Sequence, residues 1–349
     1  MANSMEGELN QVDTSLIVEW ENSRHTVESR TAQMMRRLAQ QVEERLAAGN
    51  ASFELIIVYD PGDCPEQSIR TMLNEQWRSL LSSVHVSLVP VADGSYYVMK
   101  NVAAATAKGE FIVFIDCDVL PEPHWLDNIL APFDDPEIGV SQGATFVQPH
   151  SALTKGLALA WLFPLRRSDG RLSEEDRVIA NNIAFRRSVF LRFPYPDLAT
   201  WRGQCTAQRR MLEKHGIGVH WSGTARTIHP FPIGLSGTIE RACLNGHDHA
   251  MRDQERGVGS PWKESYWRFH SFLKRASRRR ADLREDLALS VWDEFVCVLV
   301  AFGYWGVALI SECGLHLFPT AWRKLLKELP KNYGDSASVA NEGQAGGIS

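Results

Sequence analysis

Apolar residues recur along the first two-thirds of this chain in two alternating rhythms. Short runs at 16–18, 55–58, 84–89 and 111–115 are rich in β-branched and other strand-forming residues, whereas 27–47 and 66–81 repeat their apolar positions at helical spacing. A further helix-like stretch, 98–107, is closed by Gly109, and Pro121 and Pro123 are expected to stop the strand that ends at 115 before His124, Trp125 and Leu126 open the next helix. The pattern then becomes more mixed, with strands expected at 139–148, 182–185 and 218–221 and helices at 152–161 and 207–215. Strand and helix in alternation predict an α/β fold with a doubly wound, mostly parallel sheet, whose ligands gather at the carboxyl ends of the strands. Glu19, Asp60 and the triplet Asp116-Cys117-Asp118 then share one rim.

The triplet is the strongest chemical signal. Two carboxylates leaving a buried strand end offer hard oxygen ligands to a divalent cation, Mg2+ or Mn2+, that carries phosphate oxygens. The same residues could also solvate a strand end or cap a helix. Composition narrows the field: 44% hydrophobic and 23% charged residues over 349 positions describe a folded chain with room for one large domain and an appendage. A net charge of -5 gives no general attraction to nucleic acid. Six cysteines at 64, 117, 205, 243, 297 and 313 show no Cys-x-x-Cys spacing, so neither a zinc cage nor a disulfide framework is expected, and a reducing cytosol is the natural compartment. The polar, acidic residues 1–12 lack a secretory pattern. Residues 1–13 and 331–349 read as disordered tails.

Taken together, several blocks resemble a known family. Lys100-Asn101-Val102-Ala103-Ala104-Ala105-Thr106-Ala107-Lys108-Gly109-Glu110, the strand after it with Asp116-Cys117-Asp118, and then Pro121 and Trp125-Leu126, are similar to the central signature of family 2 glycosyltransferases. Leu16-Ile17-Val18-Glu19-Trp20-Glu21-Asn22 resembles that family's first strand and nucleotide-facing turn, and Glu54-Leu55-Ile56-Ile57-Val58-Tyr59-Asp60 its second strand with an acidic end. Asn181-Asn182-Ile183-Ala184-Phe185-Arg186-Arg187 resembles the segment lining the acceptor side. The likeness runs from about Ser15 to Pro230.

The resemblance implies a GT-A domain over 14–232 and metal-dependent transfer of a sugar from a nucleotide-diphosphate donor to an acceptor hydroxyl on a glycan, a lipid carrier or a small molecule. By the same resemblance Asp60 would bind the base with Glu19 nearby, Lys100 and Asn101 would approach the nucleotide, Asp116 would hold ribose or metal, Asp118 and His229 would hold the metal, and Asn182 and Arg202 would lie on the acceptor side. Bland alternatives stand beside these roles. Asp60 precedes Pro61-Gly62-Asp63, where turn chemistry alone favours Asp. Lys100 could be a solvated helix residue, and a lone histidine such as His229 could be structural. His247 and His249 flank Asp248 without a third spaced ligand, which favours plain solvent-facing residues.

One departure matters more than the matches. Where relatives commonly place a Glu-Asp pair to deprotonate the acceptor, this chain has Trp201-Arg202-Gly203-Gln204-Cys205-Thr206-Ala207, and neither Gln204 nor Cys205 is a natural base. Asp197 is a weak candidate that equally punctuates the turn after Pro194 and Pro196, and a base from 241–251 is a further option. A catalytically lapsed relative that binds nucleotide sugar or a partner is therefore the second hypothesis. A nucleotidyltransferase is disfavoured, because no Gly-rich, basic phosphate loop follows 16–18.

Beyond 232 the character changes. Residues 233–285 form an extension ending in a basic run, Lys274 to Arg284, and 286–330 contain an uncharged run at 295–311. Seventeen helical residues rise about 26 Å against a hydrocarbon core of about 30 Å, the short limit for spanning. Membrane contact at the cytoplasmic face, or a hairpin helix packed on the domain, are the two readings of this segment.

Overall fold

The computed structural model describes residues 12–49, 51–160, 163–173, 178–198, 200–257 and 260–328. The tails expected at 1–13 and 331–349 lie outside the described residues save for 12 and 13.

In chain order the first half runs β1 (Thr14–Glu19), α1 (Glu28–Ala47), β2 (Phe53–Tyr59), α2 (Glu66–Gln76), β3 (His85–Pro90), α3 (Tyr96–Thr106) and β4 (Phe111–Asp116). These four strands pair in parallel, in the order β3-β2-β1-β4. Successive side chains of a strand point to opposite faces. Leu16, Val18, Leu55, Ile57, Val113 and Ile115 accordingly join Met34, Leu38, Ile69 and Leu73 in one core beneath α1 and α2. Ile17, Ile56, Ile112 and Phe114 meet Met99, Ala103 and Ala104 of α3 on the other face. Burial on both faces is why these strands read as continuous apolar runs. Gly109 has a packing reason of its own: a Cβ there would lie 2.6 Å from the Ser15 main-chain nitrogen, so only glycine lets the chain cross β1 into β4.

The second half adds β5 (Leu120–Pro121), α4 (Trp125–Leu130), β6 (Val140–Phe146), α5 (Ala152–Ala160), β7 (Asn182–Arg186), α6 (Arg187–Arg192), α7 (Gln204–Lys214) and β8 (His220–Ile228). The full sheet has the order β3-β2-β1-β4-β7-β6-β8-β5. β7 runs antiparallel to both β4 and β6, while β6 and β8 are parallel. β8 is more than twice as long as expected, because the ladder to β6 shifts register between Gly143 and Ala144 and the irregularity breaks the alternation that would have revealed the strand. Pro121 does not simply stop the chain: with Leu120 it pairs antiparallel to Ile228 and Thr227 at the sheet edge, where proline is tolerated.

Four helices follow, α8 (Gly234–Glu255), α9 (Pro261–Leu283), α10 (Val291–Leu317) and α11 (Pro319–Glu328). α10 starts at a capping box made by Ser290 and Asp293 and runs to Leu317, six residues past the uncharged run, so that it includes Glu312 and His316. Its inner side packs on α8 and α5. Gly246 of α8 and Gly156 of α5 allow this approach, since a Cβ at Gly246 would overlap the Ala308 carbonyl and one at Gly156 would press on Val300 and Cys297.

Candidate functional site

The carboxyl ends of β1 and β4 lie side by side, with Glu19 in register with Asp116. Lys100, reaching from α3, is fully buried and donates to Asp116 Oδ1 at 2.7 Å. The Tyr96 hydroxyl donates to the same carboxylate at 2.9 Å, and the Asn22 amide to its Oδ2 at 3.2 Å. The Lys100 ammonium also lies over the rings of Tyr96 and Phe114. Asn22 donates a second bond to Glu19 Oε2 at 2.9 Å, and the Glu21 N–H donates to Glu19 Oε1. Burial and then the neighbouring Asp116 hold the Glu19 carboxyl well above the usual carboxylate range. Lys100 is thus not a solvated helix residue; it neutralises Asp116 in a closed network.

Asp118 has different surroundings. Its side chain is buried and its Oδ1 has no hydrogen-bond partner among the described residues. Burial first, and Asp116 second, push its pKa up to about 7, against the pull of Arg30 and Arg241. Arg30 ties this point to the far edge of the sheet: its Nε donates to the Asp118 carbonyl at 2.6 Å and its Nη2 to the Ile228 carbonyl at 2.8 Å. Because Leu120 pairs with Ile228, the same clamp brings His229 alongside the stretch leading out of Asp118. His229 is anchored by its N–H to the Phe146 carbonyl at 2.8 Å, by Nδ1 to the Pro230 carbonyl at 2.6 Å, and by stacking on Phe163 at 4.2 Å between centroids. A donating Nδ1 leaves the lone pair of a neutral ring on Nε2, the usual arrangement of a ligating imidazole. Burial, helped by Arg241, Arg30 and Arg202, lowers its pKa to about 3, so the ring is neutral at physiological pH. The residues fit a divalent cation: a buried carboxylate oxygen without a partner, a neutral imidazole, and Arg30, Arg202 and Arg241 near enough to attract the anion that such a cation carries.

The remaining expected residues separate by what they touch. Asp60 accepts the Gly62 N–H at 2.8 Å and the Asp93 N–H at 2.9 Å, so it organises both adjacent loops. Asn101 is paired end-on with the Tyr195 main chain, donating to its carbonyl at 2.8 Å and accepting its N–H at 3.1 Å. Asn182 is fully buried and its amide is occupied by Trp125 Nε1, the Ala225 carbonyl and the Thr227 hydroxyl. That bonding ties β7 to β8 and occupies the amide's oxygen and nitrogen. Arg202 is half-buried among Arg241, Tyr97 and Tyr304. His247 and Asp248 are buried, not solvent-facing as expected, and His249 is part-buried against Glu312.

The first turn of α7 carries no acidic side chain. Gln204 is buried with its amide on the Thr200 carbonyl at 2.8 Å. The Cys205 thiol lies 3.4 Å from the Tyr97 hydroxyl, and burial pushes its pKa up to about 11, so it is no thiolate at neutral pH. Asp197 is exposed. The carboxylate that does reach this loop is Asp248 of α8, which accepts the Trp201 N–H at 2.8 Å and keeps a buried Oδ2 without a partner among the described residues.

Sequence reasoning missed Arg30, Tyr96 and Arg241, whereas Asp248 lies in the 241–251 segment left open for a base. Tyr96 was accessible, one helical turn before Lys100 on α3. Arg30 and Arg241 were not, since their roles depend on how α1 and α8 cross the rim.

The family model described as "Glycosyltransferase like family 2" matches residues 30–238. Among solved structures, the mannosyltransferase PcManGT from Pyrobaculum calidifontis, in complex with GDP-Man and Mn2+, is similar at 14% identity and a TM-score of 0.50, over 87% of this chain and 88% of that one. S. aureus TarS 1-349 in complex with UDP-GlcNAc aligns at 15% identity and a TM-score of 0.43, over 92% of this chain and 89% of that one. No curated protein matches the chain.

Proposed function

The chain belongs to the glycosyltransferase-like family 2, and from that premise we propose that it moves a sugar from a nucleotide-diphosphate donor to an acceptor hydroxyl, with Asp118 and His229 holding a divalent cation. The single observation that carries this reading is the buried Asp118 oxygen without a partner among the described residues, with Arg30 and Arg241 as charged neighbours that it shares with a neutral His229. A mannosyltransferase of similar fold that holds GDP-Man and Mn2+ makes Mn2+ a reasonable ion and a nucleotide sugar a reasonable donor. When bound, such a cation neutralises charge on the departing diphosphate.

The chain's own residues do the rest. Arg30, Arg202 and Arg241 supply positive charge toward the diphosphate in a partly dry site, where it acts more strongly than in water. The Lys100, Tyr96 and Asn22 bonds hold Asp116 rigid at the strand end, suited to ribose hydroxyls. In the transfer step the acceptor oxygen bonds to the anomeric carbon, the bond from that carbon to the diphosphate oxygen breaks, and the acceptor proton passes to a base. No carboxylate stands at the start of α7 to take it, and Asp248 is the buried carboxylate nearest in connectivity to that loop. The absence of such a base among the described residues favours the second reading, a lapsed enzyme that binds nucleotide sugar without transfer. A location at the cytoplasmic face of a membrane is part of the proposal; six unpaired cysteines and the apolar outer side of α10 support it.

A screen of UDP- and GDP-sugars for binding with and without Mn2+, followed by hydrolysis of the tightest donor, separates these readings. Metal-dependent binding with slow hydrolysis is the expected result. Binding with no hydrolysis or transfer supports the lapsed enzyme, and transfer indifferent to metal contradicts the cation site at Asp118 and His229.

A further inference from the structure

α10 carries two unlike sides. Cys297, Ala301, Ala308, Ser311, Glu312 and Leu315 face inward and are buried, whereas Trp292, Phe295, Leu299, Phe302, Ile310 and Leu317 recur at helical spacing on the outside. Trp292 is 67% exposed and Phe295 53% exposed. α9 lies antiparallel beside it, as the contacts of Trp262 with His316 and of Phe269 with Trp305 show, and adds exposed Trp262, Tyr266 and Trp267. Toward the other end of α9, Lys274, Arg278, Arg280 and Arg284 are exposed, with Arg278 paired to Asp282 and Arg280 and Arg284 sharing Glu294. Aromatic and aliphatic groups bordered by basic ones on a single outer surface match an anionic bilayer.

Two observations argue against α10 passing through a bilayer. Glu312, in the last third of α10, accepts from Arg268 of α9 and Ser265, and Arg268 also donates to both oxygens of Asp253 of α8 at 2.9 and 2.8 Å. A spanning α10 would strand that carboxylate in lipid, away from its partners. On the opposite side, the Tyr304 hydroxyl donates to the Arg241 carbonyl at 3.3 Å, and Tyr304 has Arg202 for a charged neighbour. The outer face is thus separated from the site arginines by about one helix diameter of 10–12 Å.

We propose that the outer face of α9 and α10 docks flat on an anionic membrane, and that the site beside it takes its acceptor from that surface as a lipid-borne hydroxyl. The acceptor half of this statement rests on the transferase reading above; the docking half does not.

The test uses the full-length protein, vesicles of phosphatidylcholine with or without phosphatidylglycerol, and the variant Trp292→Glu/Phe295→Glu. The protein is expected to float with the anionic vesicles and to be released by alkaline carbonate, and the variant to lose about tenfold or more in vesicle binding while binding UDP or GDP with Mn2+ as before. Equal flotation of the variant overturns the docking surface, and retention until detergent is added overturns the flat mode. A dimer in sedimentation that the variant abolishes assigns the face to a second copy instead. With labelled UDP- and GDP-sugars and anionic vesicles supplemented with bacterial lipid extract, label is expected in a chloroform-soluble product and at least fivefold less of it with the variant. Label that goes to water-soluble acceptors equally in both proteins overturns the lipid-borne acceptor. Loss of nucleotide binding by the wild type counts against the donor site, while flotation still decides the docking.

Discussion

The two carboxylates of one triplet, two residues apart, live in opposite electrostatic worlds. Around Asp116, Lys100, Tyr96 and Asn22 supply enough donors to complete the site without any ligand. Around Asp118, one buried oxygen has no partner among the described residues, and Arg30 and Arg241 are its cationic neighbours. A satisfied buried network rigidifies a fold, whereas an unsatisfied one marks a place prepared for something else. Asp116 thus belongs to a satisfied scaffold, whereas Asp118 is the carboxylate of the proposed ligand site.

The largest expected effect breaks the scaffold side. Lys100→Met leaves Asp116 buried without its cation and should lower stability by about 3–5 kcal/mol, read as a shift of the urea midpoint. A loss below about 1 kcal/mol would mean that the Lys100–Asp116 pair contributes little to the fold.

On the ligand side, Asp118→Asn should act in the opposite direction on stability. The folded carboxyl is raised to about 7 from an ordinary 3.8, so the folded state holds its proton more tightly than the unfolded chain. Stability from this group is present below the unfolded value and is lost as pH rises toward 7. In metal-free buffer at pH 8 the variant should therefore be more stable, by about 2 kcal/mol against a ceiling of about 4, and the gain should vanish near pH 4. Metal-dependent donor binding should disappear in the same variant.

Arg241→Met sharpens the contrast further. Removing one of the three arginines proposed to face the diphosphate should weaken UDP or GDP binding by roughly tenfold, or about 1.4 kcal/mol, with a smaller change in nucleoside affinity. Equal loss for nucleoside and diphosphate would place Arg241 outside the phosphate site.

The smallest effect is expected at the position where relatives keep a base. Cys205→Ser should leave any transfer or hydrolysis within about twofold and stability within about 1.5 kcal/mol, because a thiol raised to about 11 is not ionised at working pH. A tenfold loss of turnover with unchanged stability would restore a chemical role to this cysteine.

The same contrast explains what could be read from the chain beforehand. The parallel half of the sheet was legible because its strands are buried on both faces and its helices repeat cleanly, so β1, β2, β4, α1 and the rim of Glu19, Asp60 and Asp116 follow from spacing. β8 was half hidden by its register shift opposite Gly143, and Leu120–Pro121 looked like a stop, not an edge strand. Asn182 belongs to a recognisable block, yet only the packing of Trp125 and Thr227 against it shows that its amide is enclosed. Arg30 and Arg241 carry no local signature at all, since a lone arginine on a helix gains its role from the element it crosses. α10 was seen as apolar, but its two sides separate only once α8 and α5 cover one of them.

The most direct test of the central claim is pulsed EPR of Mn2+ bound to the full-length protein with UDP or GDP, compared with His229→Ala and Asp118→Asn. The account predicts tight Mn2+ binding with nitrogen coupling from an imidazole, loss of that coupling in His229→Ala, and weakening of Mn2+ binding by about tenfold or more in Asp118→Asn. Mn2+ bound with equal affinity in all three proteins and without nitrogen coupling would contradict it.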